Sequence, residues 1–526
     1  MIKKKKKSIK KIKVKSKALN NLYHGDNLDN LRQFIKDESV DLCYIDPPFN
    51  SNRTYNQLYL NQGKEDKAQA QAFVDTWEWD NAAIKGYEEI IANEKNRFTT
   101  KTILLIEGLA KVLGKDSMLS YLVHITIRVT EIHRVLKPTG SFYLHCDPTA
   151  SHYLKLILDA IFIENGGEFI TEIIWTYSWG VRTDKRWNRK HDVIFCYSKS
   201  KEYTFNAYEV LEPRTLSESS KNRLRYAGAL IETRNKTGST EFALPSDVWY
   251  IPTINGMAKE RLGYPTQKPE KLLEQIIKAS SNKGDVVLDA YCGCGTTVAV
   301  AERLGRKWIG IDITYQSISL ILWRMERTFG KTILENIELT GVPRDWEGAR
   351  ALAEKKEDKL RKEFEKWAVL FYTNNRGRIN EKKGGDGGID GIALIQERNE
   401  KSEIENKKII FSVKSDKVLT PAYINQLKGK MHDEGVVMGI FICLYDPTAG
   451  MLREAKEMGT YKNNLFGMEY PKLQIVTVRE IFEQAKRLTI PVLEMVKKAI
   501  YKGKEDDNQT SMVSDFEEKY LTTIKN

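Results

Sequence analysis

The sequence predicts an α/β fold: a Rossmann-like sheet with helices on both faces, followed by a second, smaller α/β unit. Three observations predict it. Short apolar runs that read as buried strands alternate with helical runs, the pattern of a parallel sheet. One strand passes through a Gly-x-Gly turn directly into a helix. A new set of strand patterns starts after a boundary near Gly341-Val342-Pro343, in a chain of 526 residues that is too long for one core.

Residues 1–17 carry ten lysines and no apolar h-region, so they read as a disordered basic arm and not a signal peptide. The arm either touches a polyanion or is a solvated tail. Residues 18–60 give a turn, a helix and a strand at 40–45 that ends in Asp46-Pro47-Pro48-Phe49. The two prolines stop the strand, fix φ and remove two donors. A carboxylate, a carbonyl and an aromatic face are thereby held at a strand's carboxyl end. That set suits a planar exocyclic amine: two acceptors take its hydrogens while the ring stacks on the base. Residues 61–115 are polar, with Trp77 and Trp79, and read as a mobile lid or substrate-facing loop. Residues 118–136 are amphipathic and helical, and another helix begins at His152. Pro269 opens a further helix with Leu272, Leu273, Ile276 and Ile277 on one face.

The second half of the site lies downstream. A strand at 286–288 runs into Asp289-Ala290-Tyr291-Cys292-Gly293-Cys294-Gly295-Thr296-Thr297 and then a helix. In this geometry backbone N–H groups and a helix N-terminus meet a nucleotide-like ligand. A third strand, 308–311, ends in Asp312, about 20 residues past the glycines, where a carboxylate takes ribose hydroxyls. Cys292 and Cys294 are too close for a usual zinc site and read as small loop fillers. His145 and Asp147 suggest a metal or acid–base pair, but they follow a strand and are read as its cap.

Together these segments resemble the amino-methyltransferases of DNA, which methylate adenine N6 or cytosine N4 from S-adenosylmethionine. Asp46-Pro47-Pro48-Phe49 matches the family's catalytic motif, and 289–297 its methionine-binding loop, with Tyr291 where Phe is usual. Gly263-Tyr264-Pro265-Thr266-Gln267-Lys268-Pro269 and Gly25-Asp26-Asn27-Leu28 resemble the segments preceding the cofactor loop and the catalytic strand. The stretches 140–147 and 173–175 are similar to later elements. Catalytic motif first and cofactor loop last is the family's β arrangement. The resemblance implies a catalytic set of Asp46, Pro47, Pro48 and Phe49. It implies a cofactor set of Asp26, Lys268, Asp289, Tyr291, Gly293, Gly295, Thr296 and Asp312. The target base has to be flipped from the duplex onto Phe49. An acid at the first motif position leans towards adenine N6 in this family; cytosine N4 stays open.

Composition agrees. The formal charge of +12 favours a polyanionic partner, here double-stranded DNA. Six scattered cysteines suit a reducing interior, and no apolar run reaches membrane-spanning length; the resemblance implies a prokaryotic, cytoplasmic setting. Between about 177 and 262, basic residues such as Arg189, Lys190 and Arg223 interleave with aromatics such as Trp187 and Tyr226. The family places its target-recognition region here; a solvated insert is the alternative.

After a charged helical run, 347–366, Gly387-Gly388-Ile389-Asp390-Gly391 precedes a strand ending in Ser412-Val413-Lys414. Further strands are expected at 439–444 and 473–478. This resembles the Mrr-like branch of PD-(D/E)xK nucleases. The resemblance implies a Mg²⁺-holding Asp390 and a catalytic Lys414, with Glu365 as a further candidate ligand. Ser412 stands where an acid or amide is usual, so a working nuclease and a DNA-binding remnant are both open. The expected organisation is an arm at 1–17, a methyltransferase unit at 18–345, a nuclease-like unit at 346–500 and a polar tail at 501–526. The setting is a restriction–modification or related system, with a homodimer or restriction-system partners open. A regulator without turnover, or methylation of RNA or protein, are the competing functions. Truncation after residue 345 is expected to spare methylation, since both motifs and the insert lie upstream.

Overall fold

Alternate residues of strand 40–45 feed two different cores, and this puts the strand in the middle of the molecule. Leu42 and Tyr44 join one apolar cluster; Cys43 and Ile45 join another. A strand buried on both faces needs helices on both sides. The computed structural model describes residues 20–49, 53–61, 64–75, 77–177, 184–185, 187–213, 242–255, 258, 260–262, 264, 266–343, 345–354, 358–373, 376–379, 388–398, 404–465, 467–484, 486–490, 492 and 497–499. The basic arm, the polar tail, and Arg223 and Tyr226 of the insert lie outside the described residues.

The first unit runs β1 (Asn20–His24), α1 (Asn27–Phe34), β2 (Val40–Ile45), β3 (Arg53–Asn61), β4 (Lys64–Asp75), α2 (Asn81–Ala92), α3 (Thr100–Leu113), α4 (Ser117–Val135), β5 (Leu136–Cys146), α5 (Ser151–Leu158), β6 (Glu168–Thr176) and β7 (His191–Ser198). It continues with β8 (Val248–Tyr250), α6 (Glu270–Ser280), β9 (Val286–Asp289), α7 (Thr296–Arg303), β10 (Lys307–Asp312), α8 (Tyr315–Phe329) and β11 (Ile337–Thr340). Nine of these strands form one sheet in the order β8-β6-β7-β5-β2-β9-β10-β1-β11. Helices α1 and α3–α5 cover one face; α6–α8 cover the other.

Two expectations need correction. The sheet is not wholly parallel: β7 runs antiparallel to both β5 and β6, because the chain doubles back after β6 and lies between them. Residues 61–115 are not a loop. They hold β4, α2 and α3, and Ile90, Phe98, Ile106 and Leu109 are buried against α4 and its neighbours. Trp77 packs edge-on against Tyr121 and His124, and Trp79 against Tyr87.

The charged run after the boundary forms two helices, α9 (Trp346–Ala353) and α10 (Asp358–Tyr372). A second sheet follows: β12 (Arg378–Ile379), β13 (Gly391–Arg398), β14 (Ile404–Lys414), β15 (Met438–Cys443) and β16 (Leu473–Thr477), paired in that order. Helix α11 (Pro421–Asp433) packs on it. The junction is not a loose tether. Phe364, Trp367 and Ala368 of α10 belong to the same apolar cluster as Tyr315 and Ile318 of α8. Among the described residues no helix is long and apolar enough to cross a membrane.

Candidate active site at the carboxyl edge of the sheet

Four adjacent parallel strands each deliver one acid to the same edge. In sheet order these are Asp46 after β2, Asp289 ending β9, Asp312 ending β10 and Asp26 just after β1. Catalytic and cofactor motifs more than two hundred residues apart thus become neighbours, as β2 pairs with β9 through Leu42–Val287 and Cys43–Leu288. Ligands of open α/β sheets bind at this edge.

The glycine loop is built for close approach. Gly293 and Gly295 have φ of 52° and 72°, a region that side chains rarely adopt. A Cβ on Gly293 would come within 3.2 Å of the Tyr264 ring, and one on Gly295 within 2.8 Å of Ile321. Asp312 Oδ2 accepts from Gly293 N at 2.8 Å, and its Oδ1 accepts from Thr314 N at 2.9 Å. Gly295 caps α7 with no side-chain hydrogen bond, so the helix start meets the loop with backbone donors. Thr296 Oγ1 accepts from Arg324 at 3.0 Å. Asn27 ties the β1 turn to the loop by donating to Ala290 O at 2.9 Å. Asp26 caps α1 through Leu28 N and pairs with Arg128 at 2.8 Å. Tyr291, the departure from Phe, places its hydroxyl 3.1 Å from His124 Nε2. This cradle of backbone donors, with the Asp312 carboxylate beside it, fits a nucleoside bearing a methionine moiety.

Electrostatics reflect the crowding of acids. Burial pushes the Asp289 carboxyl up to about 7, and the charges of Asp46 and Asp312 add to it against hydrogen bonds from Thr297 and Tyr291 N. Burial also raises Asp312, opposed by donors from Thr314 and Gly293.

The Asp46-Pro47-Pro48-Phe49 stretch is held from behind. Lys268 Nζ binds Asp46 Oδ2 at 2.5 Å and lies 5.2 Å from the Phe49 ring centre. Lys268 is therefore brought to the Asp46 carboxylate, whereas the family resemblance implied a place at the cofactor. Asp46 Oδ1 is buried and accepts no hydrogen bond. His145 Nδ1 stands 4.0 Å from that oxygen and 2.9 Å from Tyr44 Oη. On its other side His145 Nε2 is 3.3 Å from Asp192 Oδ2, and Tyr177 donates to Asp192 Oδ1 at 3.0 Å. Burial would raise Asp192, but His145, Lys268 and Tyr177 hold it below the usual carboxylate range. His145 is fully buried between Phe49 and Trp175, so it does more than cap its strand. Sequence reasoning gave it no part because its partners lie 101 and 47 residues away.

The C-terminal candidates Asp390 and Lys414 lie near each other, one just before β13 and the other ending β14, two adjacent strands. Asp390 Oδ2 accepts from Val413 N at 2.6 Å, between Ser412 and Lys414. Ser412 and Lys414 line a pocket of about 450 Å³ with Tyr423, Gln426, Lys430 and Asp433. Among the described residues no group of three or more His, Cys, Asp or Glu is arranged to hold a metal. In the insert, Trp187 is 97% exposed.

The model of a family described as DNA methylase matches residues 40–322, and one described as restriction endonuclease matches 360–468. The DNA adenine methyltransferase YhdJ of Escherichia coli is 31% identical over 310 residues, 58% of this chain and 82% of its own. The type II methyltransferase M.HpaI of Haemophilus parainfluenzae is 34% identical over 200 residues, 38% of this chain and 57% of its own. Among solved structures, the PvuII DNA methyltransferase (cytosine-N4-specific) aligns with 61% of this chain and 94% of its own. Its identity is 16% and its TM-score 0.37.

Proposed function

This chain belongs to the DNA methylase family, and from that premise we propose that it methylates adenine N6 of a base flipped out of double-stranded DNA. The observation that carries the reading is the buried, unpartnered Asp46 Oδ1, with Oδ2 already held by Lys268, whose Nζ also faces the Phe49 ring. S-adenosylmethionine, when bound, supplies an electrophilic sulfonium methyl. The chain's own residues do the rest. An exocyclic amine has its lone pair delocalised into the ring, so it is a weak nucleophile. Asp46 Oδ1 and the Pro47 carbonyl accept its two hydrogens and favour the pyramidal nitrogen that attacks. Phe49 holds the base plane, and alignment supplies much of the remaining barrier reduction. As the nitrogen–carbon bond forms, the methyl–sulfur bond would break and its electron pair would leave with the neutral thioether, while the nitrogen would shed one proton, which Asp46 Oδ1 or water can accept. Lys268 fixes the carboxylate's direction, and Tyr44 holds His145 beside it.

We assign the cofactor to Asp26, Asp289, Tyr291, Gly293, Gly295, Thr296 and Asp312, with Lys268 acting on Asp46 instead. The unit over 18–345 would carry this reaction within a restriction–modification or related system. The unit over 346–500 would contact the same DNA, with Asp390 and Lys414 as its Mg²⁺-dependent centre if it cuts. Tritiated methyl transfer with DNA, RNA and protein as competing acceptors tests the substrate class. Nucleoside mass spectrometry tests the base: N6-methyladenine supports the proposal, and N4-methylcytosine replaces it with the other amine of the same geometry.

A further inference from the structure

A carboxylate from the C-terminal unit reaches the cofactor edge of the large sheet. Glu363 of α10 accepts from Tyr315 N, the first residue of α8, at 3.2 Å through Oε2. The same oxygen lies 3.7 Å from Nε2 of His24, the last residue of β1. Its other oxygen takes Lys366 Nζ at 2.8 Å. His24 is fixed in turn: its Nδ1 is 3.1 Å from Gly341 O, and its ring meets Tyr315 edge-on at 6.0 Å. The Glu363 and His24 side chains are only 11% and 9% exposed. A carboxylate so far out of water is costly unless it is paired. Burial would raise it, yet His24 and Lys366 hold it down at about 2, so it stays charged.

What Glu363 grips is the turn that carries Asp312. From the front, Asp312 is tied to Gly293 N and Thr314 N. Thr314 Oγ1 caps α8 at Ser317 N. From behind, Tyr315 N is tied to Glu363, a negative charge at a helix N-terminus. Four residues, 312–315, are thus clamped between the glycine loop and a helix of the other unit. We propose that Glu363 is a positioning residue of the S-adenosylmethionine site, so that the nuclease-like unit forms part of the methyl-donor pocket. This rests on Asp312 being the ribose ligand. Linkage makes the relation reciprocal: bound cofactor must steady α10 by the same factor that docked α10 tightens the cofactor.

The test uses the full chain and S-adenosylmethionine itself. Calorimetric Kd is measured for wild type, Glu363→Ala, Glu363→Gln and Asp312→Ala, with hydrogen exchange of α10 followed with and without cofactor. Glu363→Ala is expected to weaken the cofactor about tenfold, the size of a lost hydrogen bond to a charged group. Its KM for cofactor should rise alike and its kcat should stay within about twofold. Glu363→Gln keeps an oxygen for Tyr315 N and should recover about half of that loss on a logarithmic scale. Cofactor should slow exchange along α10 in wild type. A folded Glu363→Ala protein with wild-type Kd, beside a weakened Asp312→Ala, overturns the role of Glu363 alone. Unchanged affinity in Asp312→Ala instead overturns the ribose assignment. If Glu363→Ala does not fold, α10 exchange in wild type that ignores cofactor still refutes the proposal.

Discussion

Asp289 should make cofactor binding depend on pH in a range where few carboxylates titrate. Its carboxyl is raised to about 7, first by burial and then by the charges of Asp46 and Asp312. In the unfolded chain an aspartate titrates near ~3.9. The folded value is the higher, so the associated stability is complete below the unfolded value and is lost as pH rises through about 7. In the cofactor-free protein the ionised group then costs about 4 kcal/mol, an order-of-magnitude figure. A methionine ammonium beside Asp289 would require the ionised form. The apparent Kd then scales with the inverse of the ionised fraction, so affinity should improve about fivefold between pH 6 and pH 7. At pH 6.5 binding should release about three-quarters of a proton. Titration calorimetry at pH 6, 6.5 and 7, in two buffers of different ionisation enthalpy, reads both quantities. This window lies below the cofactor's own α-amino titration near ~7.8. Asp289→Asn should flatten the profile and abolish the proton release. A wild-type Kd that is flat over this range, with no proton released, would refute the reasoning.

Three further outcomes follow from the geometry. Asp312→Ala should weaken S-adenosylmethionine by about 1.5–3 kcal/mol, the usual size of a lost hydrogen bond to a charged group; unchanged calorimetric affinity would leave Asp312 only its structural bonds to Gly293 and Thr314. Lys268→Ala should lower kcat of transfer about ten- to hundredfold, because Asp46 loses the 2.5 Å contact that fixes it, while cofactor Kd stays within about twofold; a loss confined to Kd would return Lys268 to the cofactor. If the C-terminal pocket cuts DNA in Mg²⁺ or Mn²⁺, Asp390→Ala and Lys414→Ala should each stop cleavage on methylated and unmethylated substrates. Cleavage surviving both variants would put the centre elsewhere, and binding without cleavage by wild type would mark a remnant.

The acids of the large sheet were legible because each sits where a strand ends in a local signal: two prolines after Ile45, a glycine loop after Leu288, a turn after Ile311. Their convergence was also legible, since open α/β sheets gather ligands at one edge. Three features were not. The reversal of β7 is decided by pairing with β5 and β6, and nothing within 191–198 marks its direction. Helices α2 and α3 were hidden because the polar stretch before them reads as extending through 115, although Thr102, Ile106 and Leu109 already fall on one helical face. His145 and Glu363 act through long-range partners; a single histidine after a strand, or a single glutamate in a charged helix, carries no local sign of them. Glu363 also changes the meaning of truncation. Cutting after residue 345 removes its bond to Tyr315 N, together with Phe364 and Trp367 from the shared core. The shortened chain should therefore lose cofactor affinity, contrary to the expectation from motif positions alone.

The most direct test of the account is the modified nucleoside itself. DNA incubated with the full chain and S-adenosylmethionine is digested and analysed by mass spectrometry, beside Asp46→Ala, whose cofactor affinity is measured in parallel. The account predicts N6-methyladenine from wild type, and none above background from a variant that still binds cofactor, because it assigns the unpartnered Asp46 Oδ1 to accept from the amine. Wild-type levels of methylated base from Asp46→Ala would contradict it.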